Sequence, residues 1–174
     1  MAMYERFFAS HSWRWRLLRT RRLPTWVRSW LLERDSLSRR LEQACPGGFE
    51  VVVRCQRLAR PKTQEARTLG LRHGSYAMIR EVTLTCNGRP CVHARSVVPL
   101  ATLEPIRLRF RRLGVQPLGK LLFSLPHTHR GAVEIARIRL PEYGRESLWA
   151  RRSLFRIGDA PLLVVEAFLP ALHT

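Results

Sequence analysis

Lysine is almost missing from this chain: Lys62 and Lys120 stand alone, although lysine and arginine together number 31 against 13 acidic residues. Missing too is any apolar run near the roughly 20 residues that cross a bilayer. There is no Gly-rich phosphate loop, no nucleotide fingerprint and no Ser–His–acid order of a hydrolase. Nucleotide-dependent and serine-nucleophile chemistry are thereby set aside. The four cysteines, Cys45, Cys55, Cys86 and Cys91, form no Cys-x-x-Cys pair, and no His follows at zinc-finger spacing. They read as free thiols of a reducing compartment rather than as metal ligands. His127-Thr-His129 has no carboxylate or Cys to complete a metal site. The opening MAMYERFFASHSWRWRLLRTRR is broken by charge and predicts no secretory leader, so the expected location is cytoplasmic.

What remains is a formal charge of +18. Such an excess suits nucleic acid or an acidic membrane surface. The arginines are spread along the whole chain, however, which fits a solvated basic surface that would still help to capture a small polyanion. At 174 residues the chain fits one domain, able to bury about two-thirds of its unfolded surface. Residues 1–22 read as a basic extension whose aromatics (Tyr4, Phe7, Phe8, Trp13, Trp15) alternate with arginines, a loosely docked tail suited at most to weak membrane-surface contact. The domain proper runs over 23–174.

Pro24 suits the first turn of a helix through Trp30 and Leu31. Asp35-Ser36 caps a second helix over 37–43, and Pro46-Gly47-Gly48 ends it. Residues 49–58 are β-branched and predict a strand. The stretch 59–74 is polar and long for a connector. Residues 75–86 and 89–98 flank Asn87-Gly88 as a hairpin. A basic amphipathic helix is predicted over 101–113, a short one over 117–123, and strands near 131–139, 147–157 and 161–169. This order predicts an α+β domain, an antiparallel sheet with helices on one side.

Three charged residues fall among apolar ones. Tyr76, Met78, Arg80, Val82, Leu84 and Cys86 share one strand face, and a charge at Arg80 is costly there unless paired. If Asn87-Gly88 is a two-residue loop, Arg80 opposes Arg95 on the same side of the sheet. Two like charges about 5 Å apart repel by roughly 3 kcal/mol at an effective dielectric near 20. An anion between them makes the pairing sensible, since guanidinium forks match carboxylates. The alternative is arginines tied to internal carboxylates such as Glu81 or Glu134. Glu166 interrupts the apolar run 162–169. A carboxyl in such surroundings gains proton affinity by desolvation, a common acid–base device, unless Arg151 or Arg152 serves as its structural partner.

Seven segments then carry a resemblance: Trp30-Leu-Leu-Glu-Arg-Asp-Ser-Leu37, Ile79-Arg80-Glu81-Val82, Asn87-Gly-Arg-Pro90, Ala94-Arg95-Ser-Val-Val-Pro99, Pro117-Leu-Gly-Lys-Leu-Leu-Phe123, Trp149-Ala-Arg-Arg-Ser153 and Pro161-Leu-Leu-Val-Val-Glu-Ala-Phe-Leu-Pro170. In this order, from about residue 23 onward, the chain resembles the bacterial chorismate–pyruvate lyases of ubiquinone biosynthesis. The resemblance implies an antiparallel sheet of about six strands, with helical flaps over a buried site. It implies conversion of chorismate, a small dicarboxylate, into 4-hydroxybenzoate and pyruvate, with no cofactor or metal; separately, a monomer is expected, with no nucleic-acid partner. By the same resemblance Arg80 holds the ring carboxylate and Glu166 faces the ring hydroxyl, these two being the catalytic residues. Leu37 and Leu118 contact substrate from the flaps, and Arg95 suits the enolpyruvyl carboxylate. The chain departs from the family pattern at Leu37, where methionine can occur, at 124–131, and in its charge. Two other readings compete: a non-catalytic effector-binding domain of the same fold, as in some bacterial regulators, and a basic nucleic-acid-binding protein.

Overall fold

The computed structural model describes residues 13–17, 23–144 and 146–173. Among these described residues seven strands form one antiparallel sheet: β1 (Arg16–Leu17), β2 (Phe49–Ala59), β3 (Ala77–Cys86), β4 (Arg89–Pro99), β5 (Thr128–Ile138), β6 (Leu148–Ile157) and β7 (Ala160–Phe168), in the spatial order β1-β5-β6-β7-β4-β3-β2. The helices are α1 (Thr25–Leu31), α2 (Leu37–Ala44), α3 (Thr63–Thr68), α4 (Leu100–Leu103), α5 (Arg107–Arg111) and α6 (Leu118–Ser124). The α+β class and the six long strands agree with the sequence pattern. The extension expected over residues 1–22 lies outside the described residues apart from 13–17. There Arg16 and Leu17 pair with β5, and Trp13 and Trp15 pack against a buried cluster of the sheet.

One face of the sheet is covered at both ends and open in the middle. At one end α1 and α2 bury Val27, Leu31, Leu37 and Leu41 against Val82, Leu84, Val92 and Phe168. At the other, α4 to α6 bury Phe110, Leu121 and Leu122 against Val98, Phe155 and Leu162. A gap between two helical packings on one sheet face is therefore built into the apolar pattern. On the opposite face Ile79, Val97, Leu163, Val165 and Ala167 join Leu69, Leu140 and Leu148.

Two expectations need correction, and one segment gains an element that the sequence pattern leaves unassigned. The helix over 101–113 is broken: α4 gives way to a 3-10 turn over Glu104–Ile106 before α5 begins, because Pro105 has no N–H to donate to a helical ladder. The polar connector 59–74 contains α3, whose Glu65 carboxylate accepts from the Lys62 backbone N–H at 2.9 Å. The cysteines are not all free thiols. Cys45, just past α2, is disulfide-bonded to Cys86 at the hairpin turn, while Cys55 and Cys91 are free. The hydrogen bond from Asn87 N–H to the Gly48 carbonyl, 2.9 Å, brings these two chain reversals together.

Candidate active site

The hairpin turn forms as its sequence predicts, with Asn87 at φ 49° and Gly88 at φ 74°, and Cys86 opposite Arg89. Beyond Thr85 and Pro90 a bulge at Cys91 shifts the register by one, so that Arg80 faces Ser96 and Glu81 faces Arg95. A one-residue shift exchanges the faces of a strand. Arg80 and Arg95 consequently point to opposite sides of the sheet.

On Arg80's side, one row across the sheet reads Gln56, Arg80, Ser96, Val164, Ser153 and the next reads Val82, Ala94, Glu166, Arg151. Small residues (Ser96, Ala94, Val164) thus separate the charged ones and leave space above the sheet. The roof comes from the first residues of two helices, Ser36-Leu37-Ser38 at α2 and Pro117-Leu118-Gly119 at α6. A Cβ on Gly119 would lie 2.8 Å from Ser36 Oγ, so a larger residue there would force the Ser36 side chain to move. Counting the open space at its mouth, the cavity spans about 600 Å³.

Its electrostatics are unbalanced. Arg80 is 2% exposed. It donates to Gln56 Oε1 at 2.5 Å and to the carbonyls of Gly114 and Gln116 at 2.8 and 3.0 Å. All three acceptors are neutral, and burial pushes its pKa down. Glu166 accepts from Arg151 Nε at 2.5 Å. Arg151 also holds the carbonyls of Trp30 and Glu33, both at 2.9 Å, tying the end of α1 to the sheet. Arg130 donates to Ser153 Oγ at 2.9 Å and to the Glu33 carbonyl at 2.8 Å. Burial, and then Arg151, lower its pKa to about 10. The cavity wall therefore carries three guanidiniums, against Glu166 inside and exposed Asp35 at the rim. Such a site attracts an anion, and Glu166 supplies a carboxylate able to accept or orient a proton.

Arg80, Glu166, Leu37 and Leu118 all line this cavity; Arg95 does not. Arg95 is 7% exposed on the other face. It donates to both oxygens of Glu65 (2.7 and 3.0 Å) and to Glu81 Oε1 (2.6 Å). Burial alone would lower its pKa, but the two carboxylates outweigh that and raise it. The expected placement of Arg95 beside Arg80 is thus overturned by the bulge. Sequence reasoning missed Arg130 as a wall residue because it expects this strand to begin near 131, whereas β5 begins at Thr128 and carries a second bulge, at Gly131 and Ala132, against β6. Among the described residues no His, Cys, Asp or Glu cluster is arranged to hold a metal ion, and no helix is long and apolar enough to cross a membrane.

A family model described as chorismate lyase matches residues 14–174. The chain is 42% identical over 154 residues to a probable chorismate pyruvate-lyase of Methylococcus capsulatus, covering 83% of this chain and 95% of that protein. It is 39% identical over 168 residues to a probable chorismate pyruvate-lyase of Aromatoleum aromaticum, covering 87% and 88%. Among solved structures it is similar to PhnF of Mycobacterium smegmatis, with a TM-score of 0.60, 15% identity and coverage of 82% and 67%. The C-terminal domain of the histidine utilization repressor of Pseudomonas syringae pv. tomato gives 0.55, 16%, 72% and 94%. At these identities the two structures speak for the fold alone.

Proposed function

The chain belongs to the chorismate lyase family, and from that membership we propose that its cavity is the site where chorismate is split into 4-hydroxybenzoate and pyruvate. The observation that carries the reading is Arg80: a buried guanidinium with only neutral acceptors, in the same cavity as Glu166. Chorismate carries two carboxylates, so a wall with excess positive charge complements it. The reaction is redox-neutral and internally balanced. The ring carbon–oxygen bond to the enolpyruvyl group breaks, the ring loses one proton, and the enolpyruvyl methylene gains one. Aromatisation supplies much of the drive, which leaves positioning and proton handling to the protein.

In this reading Arg80 anchors the ring carboxylate. Glu166, held by Arg151, faces the hydroxyl end of the ring and handles or orients the proton. Leu37 and Leu118 close over the ring from the two helix ends. The protein acts as a monomer in the cytoplasm and feeds ubiquinone synthesis. The test is direct: purified protein in chelator, without added cofactor, is mixed with chorismate, and 4-hydroxybenzoate is followed by absorbance. Formation of product supports the reading. A folded protein that binds a small carboxylate but forms no product across a range of pH supports the effector-domain alternative instead.

A further inference from the structure

With Arg95 on the far face, the cavity still needs a partner for the second carboxylate of a dianion. We propose that Arg130 is that partner: it holds the enolpyruvyl carboxylate while Arg80 holds the ring carboxylate. This rests on the reading of the cavity as a chorismate site. Arg151 is the other guanidinium on the wall, and its charge is already matched by Glu166 at 2.5 Å. Arg130 has no carboxylate in salt-bridge contact among the described residues. Its Nε is fixed by Ser153 Oγ and its Nη1 by the Glu33 carbonyl, while Nη2 has no acceptor among the described residues. Two of three nitrogens pinned by neutral oxygens make a preorganised donor, with the Nη2 amino group left for a ligand.

The local backbone supports this aim. Arg130 pairs with Phe155 just before the bulge at Gly131 and Ala132, and its guanidinium lies 5.5 Å from the Phe155 ring centroid. A Cβ at Gly131 would sit 3.0 Å from the Leu154 carbonyl, so the bulge is shaped for glycine. Bulges beside active sites commonly re-aim a side chain in this way. Arg80 on β3 and Arg130 on β5 enter from opposite sides of the cavity, with β4, β7 and β6 between them. A substrate with carboxylates at its two ends bridges them; a product with one carboxylate engages Arg80 alone.

That asymmetry gives the experiment. Wild-type protein, Arg130→Gln and Arg130→Lys are compared by KM and kcat for chorismate and by the inhibition constant of 4-hydroxybenzoate, with thermal unfolding recorded on each preparation. Arg130→Gln is expected to lower kcat/KM for chorismate about ten- to a hundredfold, the scale of one charge-assisted contact, while the 4-hydroxybenzoate constant stays within about threefold of wild type on the same argument. Arg130→Lys should show the same split in smaller measure, and it decides the matter if the Gln variant does not fold. Equal weakening of both constants, or no change in either, overturns the assignment and leaves Arg130 as a tether of the 33–34 loop. Absence of turnover in wild-type protein would instead contradict the reaction itself, so the two failures are told apart.

Discussion

Arg80 and Arg95 stand on adjacent strands of one hairpin, both buried, yet their charges are treated in opposite ways. Arg95 meets two carboxylates within 3.0 Å, a closed ion network that satisfies itself. Arg80 meets an amide and two backbone carbonyls, which satisfy its hydrogen bonds but not its charge. Burying a cation without a counter-ion costs stability, and removing one partner of a buried pair costs more. The difference teaches how to separate scaffold from site among buried arginines. A charge neutralised within the chain is holding the fold; a charge solvated only by neutral groups is held ready for an anion from outside.

Breaking the Arg80 side should have the largest effect. Arg80→Gln is expected to lower kcat/KM for chorismate about a thousandfold, roughly 4 kcal/mol of transition-state binding, with little loss of thermal stability. Steady-state kinetics and a melting curve on one preparation check both halves. The reverse pattern belongs to Arg95. Arg95→Gln strands Glu65 and Glu81, and denaturant unfolding should show a loss of about 3 kcal/mol, with near-normal turnover per folded molecule.

Glu166→Gln tests the residue that combines the two behaviours, being both a wall group and the partner of Arg151. Turnover is expected to fall about a hundredfold. Stability should fall by only about 1–2 kcal/mol, because the carbonyls of Trp30 and Glu33 still hold Arg151. Unchanged turnover would make Glu166 a purely structural carboxylate.

The smallest effect concerns pH on Arg95's face. His93 is 3% exposed there, opposite Thr83, whose Oγ1 lies 2.9 Å from Nδ1. Burial, and then Arg54, push its pKa down to about 4, against about 6.5 in the unfolded chain. Between these values the unfolded chain binds more protons. His93 therefore makes stability fall as pH drops from about 6.5 to about 4, by roughly 2–3 kcal/mol in all. His93→Gln should flatten that slope in denaturant titrations at several pH values.

The strands and the main hairpin were legible because period-two alternation and an Asn-Gly turn report backbone geometry locally. Arg80 and Glu166 were legible as charges inside apolar runs, and Leu37 and Leu118 through family resemblance. Arg95 was misplaced because a single extra residue, Cys91, slips the register while leaving the hydrophobic pattern of Val92, Val97 and Val98 plausible in either frame. Arg130 was hidden because the residues before Gly131 carry no strand signal: β5 begins at Thr128, and the bulge at Gly131 and Ala132 breaks the alternation that would extend the strand back to it. The Cys45–Cys86 bond was invisible because it joins two turns that meet only in the folded chain, through Gly48 and Asn87.

The most direct test of the two-arginine contrast is calorimetric titration of 4-hydroxybenzoate into wild-type protein, Arg80→Gln and Arg95→Gln, each scaled to its folded fraction. Arg80→Gln should lose binding about a hundredfold or more, and Arg95→Gln should bind within about threefold of wild type on the same scale. Wild-type affinity in Arg80→Gln, with binding lost in folded Arg95→Gln, would contradict the account and return the ligand to the opposite face of the sheet.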